Sequence, residues 1–351
     1  MPTCGNGYTR TVSGNAEYRL KNTSILSICA VEAPVVVTSK AIDDRLASTY
    51  ERTGMRPGML EELAGVRERR WWPEDVSFAD SAATAGAKAL AEAGVTPAQV
   101  GVLISTAVSR PHLEPSSAVA VHHQLGLETN CLSFDIANAC LGFLNGIQIA
   151  GLMIDAGQVD YALVVDAEAV QSLHEATLRR LERPDATAEE VKAQFATLTI
   201  GSGAAAMVLG RTDQHSEGHR VLGGVSRSGS EHHELCVGDM DLMRTDSRAL
   251  FKAGIALAID TWQDATESFD WSGTDYFFCH QTSTKHIAAM AAVMGVSPDR
   301  CPTTVETYGN LAAAAVPFTL ARNVDRLQPG MQVMLMGIGS GLNTSFAEIA
   351  W

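Results

Sequence analysis

The chain has 351 residues, of which 46% are hydrophobic and 19% charged, and its formal net charge is −14. This length and composition allow a large buried core without disulfide or metal crosslinks, which excludes a peptide hormone and a small zinc module. The acidic balance has the wrong sign for a protein that binds the phosphate backbone of nucleic acids, so no nucleic-acid partner is expected.

No targeting leader is recognised, and the most apolar early stretch, residues 25–37, is short and interrupted by Glu32 and Pro34. No membrane span is expected. Seven cysteines without a C-x-x-C pair fit a reducing compartment, and the protein is interpreted as soluble and cytoplasmic. The pairs His122-His123 and His232-His233 are adjacent and not three or four residues apart, a spacing that disfavours a metal site on one helix face.

The first 22 residues are polar and have no hydrophobic period. We predict a loosely held arm at residues 1–22, with the globular part beginning near Thr23. From there, short β-branched runs alternate with longer alanine-rich helical segments, a pattern typical of α/β layering around a largely parallel sheet.

The order of these elements occurs twice along the chain. The first pass has strands at 102–106, 132–136 and 161–165, with helices ending at Gly126 and Gly157. The second pass has strands at 276–279, near 303–305 and at 332–336, with helices ending at Gly295 and before Gly330. Because the paired glycines are 169 and 173 residues apart, we predict a duplicated α/β unit with halves at 23–210 and 211–351.

A charged segment at residues 171–196 has a helical pattern and no counterpart in the second pass. We interpret it as a helical insertion in the first half, with a bend at Pro184.

Cys140 follows the strand at 132–136 and stands at or just before the start of an apolar helix. A thiol in this position lies at the positive end of the helix dipole, which favours thiolate and predicts a nucleophile. The plainer alternative is a buried core cysteine. Three glycines in the helix, Gly142, Gly146 and Gly151, each cost about 1 kcal/mol relative to alanine and indicate a close approach of backbone or ligand.

His280 and Asn310 follow strands of the second pass. Open α/β sheets place their sites at the carboxyl ends of strands, so a duplicated fold would bring both residues towards Cys140. Each alone has a structural explanation, but together they predict a Cys-His-Asn site. Hydrolase and phosphate-loop motifs are absent, and the loose G-x-G-x-x-A match at residues 201–206 continues as a strand, which disfavours nicotinamide binding.

These residues resemble the thiolase superfamily, in its ketoacyl-synthase-III-like branch, from about residue 24 onwards. The segments that carry the resemblance are 136–140, 200–209, 280–281, 308–310 and 337–343. The resemblance implies a homodimer of duplicated αβαβα layered halves with two mixed sheets. It also implies that Cys140 accepts the acyl group, that His280 and Asn310 stabilise an enolate, and that the backbone N–H groups of Cys140 and Gly341 form an oxyanion hole.

Within that branch, residues 108–117 are most similar to the OleA-type enzymes, which condense two fatty acyl-CoA molecules head to head on the way to olefins or β-lactones. In that type the glutamate matching Glu114 reaches across the dimer and acts as a base. An unactivated α-proton has to be removed in such a condensation, whereas a decarboxylating synthase obtains its carbanion by losing CO2. The plainer alternative for Glu114 is a solvated acid before Pro115 at a helix start.

Two further segments bear on this resemblance. Decarboxylating synthases typically have asparagine three residues after the active-site histidine, where this chain has Ser283. The stretch at 65–72 resembles the family's arginine-rich segment near the coenzyme A mouth, so Arg67, Arg69 and Arg70 are candidates to pair with its phosphates and Trp71 to stack on adenine. A plain surface connection is the alternative for this stretch.

The sequence therefore predicts a non-decarboxylative Claisen condensation of two long-chain acyl-CoA thioesters through an acyl-cysteine, giving a 2-alkyl-3-ketoacyl-CoA or a β-keto acid. Coenzyme A thioesters are substrates, and no resident cofactor or metal is expected. The alternatives are a decarboxylative 3-oxoacyl-ACP synthase III-type enzyme and a subunit of a heterodimeric condensing enzyme for β-lactone biosynthesis. Expected partners are a second copy of the chain and downstream pathway enzymes.

Overall fold

The computed structural model describes residues 16–351, which contain fourteen strands and twelve α-helices. The strands are β1 (Ala16–Arg19), β2 (Thr23–Glu32), β3 (Val35–Thr38), β4 (Glu68–Trp71), β5 (Val102–Ser105), β6 (Leu132–Asp135), β7 (Tyr161–Glu168), β8 (Gly203–Arg211), β9 (His219–Ser228), β10 (Cys236–Gly238), β11 (Met243–Thr245), β12 (Tyr276–Cys279), β13 (Gln332–Gly339) and β14 (Asn343–Ala350). The helices are α1 (Ser39–Arg45), α2 (Ala47–Thr53), α3 (Met59–Ala64), α4 (Phe78–Ala93), α5 (Ser117–Gln124), α6 (Gly142–Asp155), α7 (Gln171–Leu181), α8 (Ala188–Ala193), α9 (Ser247–Ala265), α10 (Thr284–Met294), α11 (Val305–Tyr308) and α12 (Ala315–Ala321).

The first half contributes five strands and the second half four strands to one continuous path. The first half has the order β6-β5-β7-β8-β2, with β6, β5 and β7 parallel to one another. The second half has the order β12-β13-β14-β9, with β1 added to β9. The halves meet where β2 pairs with β9 over two residues, so the two predicted mixed sheets are hydrogen-bonded to each other at this junction.

Helices lie on both faces of each half, which gives five layers. Helices α4 and α5 cover the outer face of the first half, and α9 and α10 cover the outer face of the second. Helices α6 and α12 share one core cluster with strands of both halves, so they form the middle layer. Strands covered on both faces are expected to be apolar throughout, and β5 is buried along its whole length.

The second pass departs from the first at one element. The stretch near 303–305, predicted as a strand, contains no strand in the structure, and α11 begins at Val305. The order of the remaining elements is retained. The predicted division between the halves, at 210–211, falls at the end of β8.

The predicted N-terminal arm has to be corrected. Residues 1–15 lie outside the described part of the chain, but residues 16–19 form β1, which pairs antiparallel with β9. Tyr18 and Leu20 are 7% and 4% exposed and belong to the central core cluster. Only one face of an edge strand needs to be apolar, so two core residues among polar neighbours were enough to attach this segment.

The insertion at residues 171–196 contains α7 and α8, with Pro184 in the connection between them. Both helices pack through apolar side chains on α1 and α2, which belong to the excursion between β3 and β4. Arg45 of α1 adds ion pairs to Glu175 and Glu182. The insertion therefore completes a helical layer beside the main sheet. In residues 16–351 no helix has the length and apolar character needed to cross a membrane.

Candidate active site

Cys140 lies on a sharp turn between β6 and α6. Ala139 has a φ of 45°, in the left-handed region, which costs an alanine roughly 1–2 kcal/mol. The N–H groups of Leu141 and Gly142 bond back to the carbonyl oxygens of Asn138 and Ala139, and the helix begins at Gly142. The turn therefore holds Cys140 just before the first turn of the helix.

Glycines allow both halves to approach this turn. A Cβ on Gly142 would lie 2.4 Å from the carbonyl oxygen of Thr106, and a Cβ on Gly339 would lie 3.2 Å from the backbone nitrogen of Cys140. Gly146 and Gly151 similarly admit neighbouring side chains. The predicted close approach in this helix is confirmed, and the approaching groups are strands and side chains of the protein.

The expectation of a lowered thiol pKa is contradicted. Burial raises the pKa of Cys140 far above its ordinary value, and the nearby carboxyl groups of Glu168 and Asp166 raise it further. Desolvation and the neighbouring acidic groups both disfavour a thiolate at this position. The resting nucleophile is therefore a protonated thiol, whose proton has to be removed as sulfur attacks.

His280 follows β12 and is 3% exposed. Its backbone N–H donates to Met336 of β13, and its Nδ1 has no hydrogen-bond partner within residues 16–351. Burial, with a smaller contribution from His286, lowers the pKa of His280 to about 3. The imidazole is therefore neutral near pH 7 and resists protonation, so it is able to donate one hydrogen bond and accept another.

Asn310 is held by its backbone and by its own amide oxygen. Its N–H donates to Thr199, its carbonyl oxygen accepts from Gly201, and its Oδ1 accepts from the N–H of Ala312 at 2.9 Å. This bond fixes the orientation of the amide and leaves Nδ2 as a donor. Gly309 is required here, because it has a φ of 71° and a Cβ would lie 2.6 Å from the carbonyl oxygen of Thr199.

The strands bring these groups to one edge of the layered sheets. The Cys140 turn packs against Gly339 at the carboxyl end of β13, and His280 is bonded to the same strand at Met336. Asn310 bonds to the segment that leads into β8, at the edge where β7 ends. The structure thus places Cys140 and His280 against the same strand, β13, and Asn310, which follows the helix α11, beside the start of β8.

Gly341 lies in the turn between β13 and β14, with a φ of 139°. The Nδ2 of Asn343, beyond this turn, donates to Oδ1 of Asn138 at 3.2 Å, and Asn138 in turn donates to Asn145 at 2.7 Å. This chain of amides connects the Gly341 turn with the segment that precedes Cys140. Sequence reasoning gave these asparagines no role, although all three stand next to residues that it did select.

Glu114 is not brought to the other three residues within one chain. It lies in the connection between β5 and α5, is exposed, and makes no hydrogen bond or ion pair within residues 16–351. Its neighbour Leu113 is fully exposed. This is the arrangement expected if the segment acts outside its own subunit.

The predicted coenzyme A segment coincides with β4 and has to be corrected in part. Arg69 is fully buried and donates hydrogen bonds to Val37 and Ser39, so its guanidinium is unable to reach a phosphate. Burial lowers the pKa of Arg69 to about 10. Arg70 pairs with Glu68 at 2.6 Å, and the indole N–H of Trp71 donates to His174. Of the four candidates, Arg67 is exposed.

Two buried carboxyl groups beside the site were missed by sequence reasoning. Asp166 and Glu168 lie near the end of β7, and both are fully buried. Burial beside Glu168 raises the pKa of Asp166 well above its ordinary range. The available signal was an acidic pair at the end of a strand that is otherwise apolar. Within residues 16–351 no group of three or more His, Cys, Asp or Glu residues is placed to hold a metal ion.

Comparison with known proteins was made on sequence and structure. The family description 3-oxoacyl-[acyl-carrier-protein] synthase III matches residues 134–228, and the corresponding C-terminal description matches residues 265–351. A protein of Xanthomonas campestris named acyl-CoA:acyl-CoA alkyltransferase is 43% identical over 335 residues, which are 94% of this chain and 99% of the relative.

Solved structures agree with this match. Cerulenin-bound OleA of Xanthomonas campestris is 42% identical and has a TM-score of 0.93, covering 95% of this chain and 98% of the other. A cysteine-to-serine form of that OleA, solved with bound lauric acid and lauroyl-CoA, has a TM-score of 0.92 at 42% identity and covers 95% of this chain and all of the other. The fold is therefore the thiolase-like αβαβα arrangement.

Proposed function

This chain belongs to the 3-oxoacyl-ACP synthase III family of the thiolase superfamily, and from that premise we propose that it condenses two fatty acyl-CoA thioesters head to head without decarboxylation. The observation that carries the proposal is the 43% identity, over 94% of the chain, to a protein named acyl-CoA:acyl-CoA alkyltransferase. The enzyme is an acyltransferase, and its substrate class is the acyl-CoA thioester.

In the first step, Cys140 attacks the carbonyl carbon of one acyl-CoA. The C–S bond to coenzyme A breaks as the bond to Cys140 forms, and the thiol proton is transferred to the departing sulfur, with the neutral imidazole of His280 hydrogen-bonded to the reacting groups. The backbone N–H groups of Cys140 and Gly341 stabilise the oxyanion. The contact of Gly339 with Cys140 and the Asn343–Asn138 bond support this placement.

In the second step, another acyl-CoA binds with its carbonyl oxygen towards His280 and the Nδ2 of Asn310. Glu114 removes the α-proton, and the enolate carbon attacks the acyl-cysteine carbonyl, which releases the sulfur of Cys140. The product is a 2-alkyl-3-ketoacyl-CoA, or the β-keto acid after hydrolysis. Neutral donors suit an enolate, because they stabilise negative charge that develops only during the reaction.

The residues after His280 favour this reaction over decarboxylation. The hydroxyl of Ser283 accepts the N–H of His286 at 3.1 Å and caps α10. The amide of Gln281 is buried and bonds to Cys279 and Thr304. Neither position offers a free amide donor beside His280, where decarboxylating synthases typically carry asparagine.

The proposal includes a homodimer in which Glu114 serves the partner's site. β6 is the edge strand of the first half, and Leu132 on it is 49% exposed. Leu113, next to Glu114, is fully exposed. An open edge with exposed leucines is unfavourable in water and fits a covered subunit interface. The exposed Arg67 is the remaining candidate to contact the phosphates of coenzyme A.

The setting is proposed to be cytoplasmic, with the product consumed by enzymes of olefin or β-lactone formation. The chain carries cysteine, histidine, asparagine and glutamate together, so a catalytic paralogue is not required.

The acyl-cysteine is tested by intact mass after incubation with myristoyl-CoA. Wild type should gain one myristoyl group and release coenzyme A, and Cys140→Ala should gain none. Absence of an adduct and of released coenzyme A in wild type would contradict acylation by long-chain acyl-CoA.

The base is tested by complementation. Cys140→Ala and Glu114→Ala homodimers should both be inactive in condensation, and a mixed dimer should regain activity, because one of its sites receives Cys140 from one chain and Glu114 from the other. Full condensation of two acyl-CoA molecules by Glu114→Ala alone would show that Glu114 is not the base. Turnover with malonyl-ACP that Glu114→Ala leaves intact would favour the decarboxylative alternative.

A further inference from the structure

Asp135 and Glu168 end the two strands on either side of β5. β5 lies between β6 and β7 and is parallel to both. Asp135 is the last residue of β6, and Glu168 is the last residue of β7. The segment that carries Glu114 leaves the sheet from the end of β5, between these carboxylates. We call residues 106–116 the Glu114 loop.

Glu168 binds the beginning of the Glu114 loop. Its Oε1 accepts the N–H of Val108 at 3.0 Å, and its Oε2 accepts the N–H of Ser109 at 2.9 Å and the hydroxyl of Ser109 at 2.5 Å. The N–H of Ala169 donates to the same hydroxyl at 2.8 Å. Both oxygens of a fully buried carboxyl group are therefore used to hold two consecutive residues of the loop.

Asp135 binds the other end of the Glu114 loop. Its Oδ1 accepts the hydroxyl of Ser116 at 3.0 Å and the N–H of Ala118 at 2.8 Å, and its Oδ2 accepts the N–H of Ser117 at 2.7 Å. The guanidinium of Arg110 lies 3.9 Å from the same carboxylate. Asp135 thus caps α5 and ties the loop to β6.

Between these two anchors, residues 111–115 are exposed. A base on an untethered loop would sample many orientations, and proton abstraction depends on a defined distance and angle to the α-carbon. Two carboxylates that fix both ends leave only this short tip free. Burying a carboxyl group at the end of an apolar strand is unfavourable unless it is hydrogen-bonded, and most of the bonds that Glu168 makes are to this loop.

We propose that Glu168 and Asp135 are positioning residues which hold the two ends of the Glu114 loop and so present Glu114 to the partner's site. The inference rests on the proposed function, because it gives Glu114 the role of the base. It assigns these two carboxylates a role in the second step, after acylation of Cys140.

The first test separates the two steps in Glu168→Gln and Asp135→Asn. Each substitution keeps the size of the side chain but turns one acceptor oxygen into an NH2 group that faces N–H donors of the loop or of the first residues of α5. With myristoyl-CoA, acylation of Cys140 should not fall by more than about twofold, because loss of the Glu168 charge favours the thiolate, whereas condensation should fall by about 10-fold or more. An equal fall in both steps, or unchanged condensation, would overturn the proposal.

A matched control is Glu348→Gln in β14. Glu348 is also a buried carboxylate and accepts the indole N–H of Trp271 at 3.0 Å, but it lies in the second half, away from the loop. It should change neither step. If Glu168→Gln does not fold, Ser109→Ala removes one bond to Glu168 without altering the carboxylate, and it should lower condensation in the same selective way.

The second test asks through which subunit Glu168 acts. In the mixed dimer, Glu168→Gln is placed either on the Cys140→Ala chain, which supplies Glu114, or on the Glu114→Ala chain, which supplies Cys140. We expect condensation to fall in the first case only. A fall in the second case only would show that Glu168 acts on the thiol of its own chain and would overturn the proposal.

The two proposals fail in distinguishable ways. If the mixed dimer without further substitution regains no condensation, the arrangement of Glu114 across the dimer is wrong. The role of Glu168 and Asp135 is then decided by the first test, which compares acylation with condensation in the homodimeric variants. If it regains condensation and Glu168→Gln has no effect on either chain, the proposed function stands and the loop anchors are wrong.

Discussion

The turn before α6 in the first half and the turn before α12 in the second half each contain an alanine with the same positive φ. Ala139 has a φ of 45° and Ala312 a φ of 44°, and the two alanines are 173 residues apart. Gly157 and Gly330, which follow the next helices at the same separation, also both have positive φ. The duplication is therefore retained in detail at the backbone.

The side chains on these two turns differ. The residue after Ala139 is Cys140, whereas the residue after Ala312 is Ala313, whose N–H faces the carboxyl group of Glu168. The polar group of the second turn is three residues before Ala313, where Oδ1 of Asn310 accepts the N–H of Ala312. One strained turn thus presents a nucleophile in the first half and orients an amide in the second.

The largest effect is expected from moving the thiol between the two turns. Cys140→Ala should abolish the myristoyl adduct, and Cys140→Ala combined with Ala313→Cys should not restore it, because Ala313 is fully buried. Intact mass measures the adduct, and thermal unfolding confirms that the double variant is folded. An adduct on the relocated cysteine would show that the two turns are chemically interchangeable.

The next largest effect concerns the contact between the halves. Leu20 follows β1, which pairs with β9 of the second half, and its side chain packs against Gly151 of α6 in the first. Leu20→Ala should lower the free energy of unfolding by about 2–5 kcal/mol, since a buried leucine is replaced by a cavity. Urea unfolding provides the measurement. A loss below about 0.5 kcal/mol, typical of surface positions, would restore the interpretation of residues 16–22 as a loose arm.

Each half also contains a buried histidine outside the proposed chemistry. Burial lowers the pKa of His174 in the first half to about 3 and that of His286 in the second half to about 4. Below the ordinary histidine pKa of 6.5, the unfolded chain binds protons that the folded chain does not, so stability is lost as pH falls from there towards the folded pKa.

His174→Gln and His286→Gln should each reduce this pH dependence. The free energy of unfolding should then depend less steeply on pH. Between roughly pH 6 and pH 5, its slope against pH should decrease by up to about 1.4 kcal/mol per pH unit for each substitution. Urea unfolding at several pH values measures the slope. If the slope is unchanged from wild type in one of the two variants, the histidine of that half does not contribute to the loss of stability in acid.

The smallest effect tests the duplicated turn directly. Glycine adopts positive φ without the steric penalty of alanine, but it loses more conformational entropy on folding, so Ala139→Gly and Ala312→Gly should each change stability by about 1 kcal/mol or less in the favourable direction. The two values should agree, because the two turns have the same φ. If urea unfolding shows that one substitution raises the free energy of unfolding and the other lowers it, the contacts around each alanine outweigh the shared φ value.

The sequence by itself determined the layered α/β class, the duplication and the placement of Cys140 and His280 after strands, whereas Asn310 follows the helix α11 and not the predicted strand. These features depend on local hydrophobic patterns and on glycine spacing, which are readable without contacts. The proposed role of Glu114 came from resemblance, and the structure of one chain leaves it exposed.

The tertiary structure decided the properties that depend on distant neighbours. The raised pKa of Cys140 comes from burial and from carboxyl groups on β7, and the burial of Arg69 comes from strands and turns that fold over it. The attachment of β1 required β9, which lies about 200 residues later in the chain. Desolvation and hydrogen bonding sum over residues that only the folded chain brings together, so no local pattern could have assigned them.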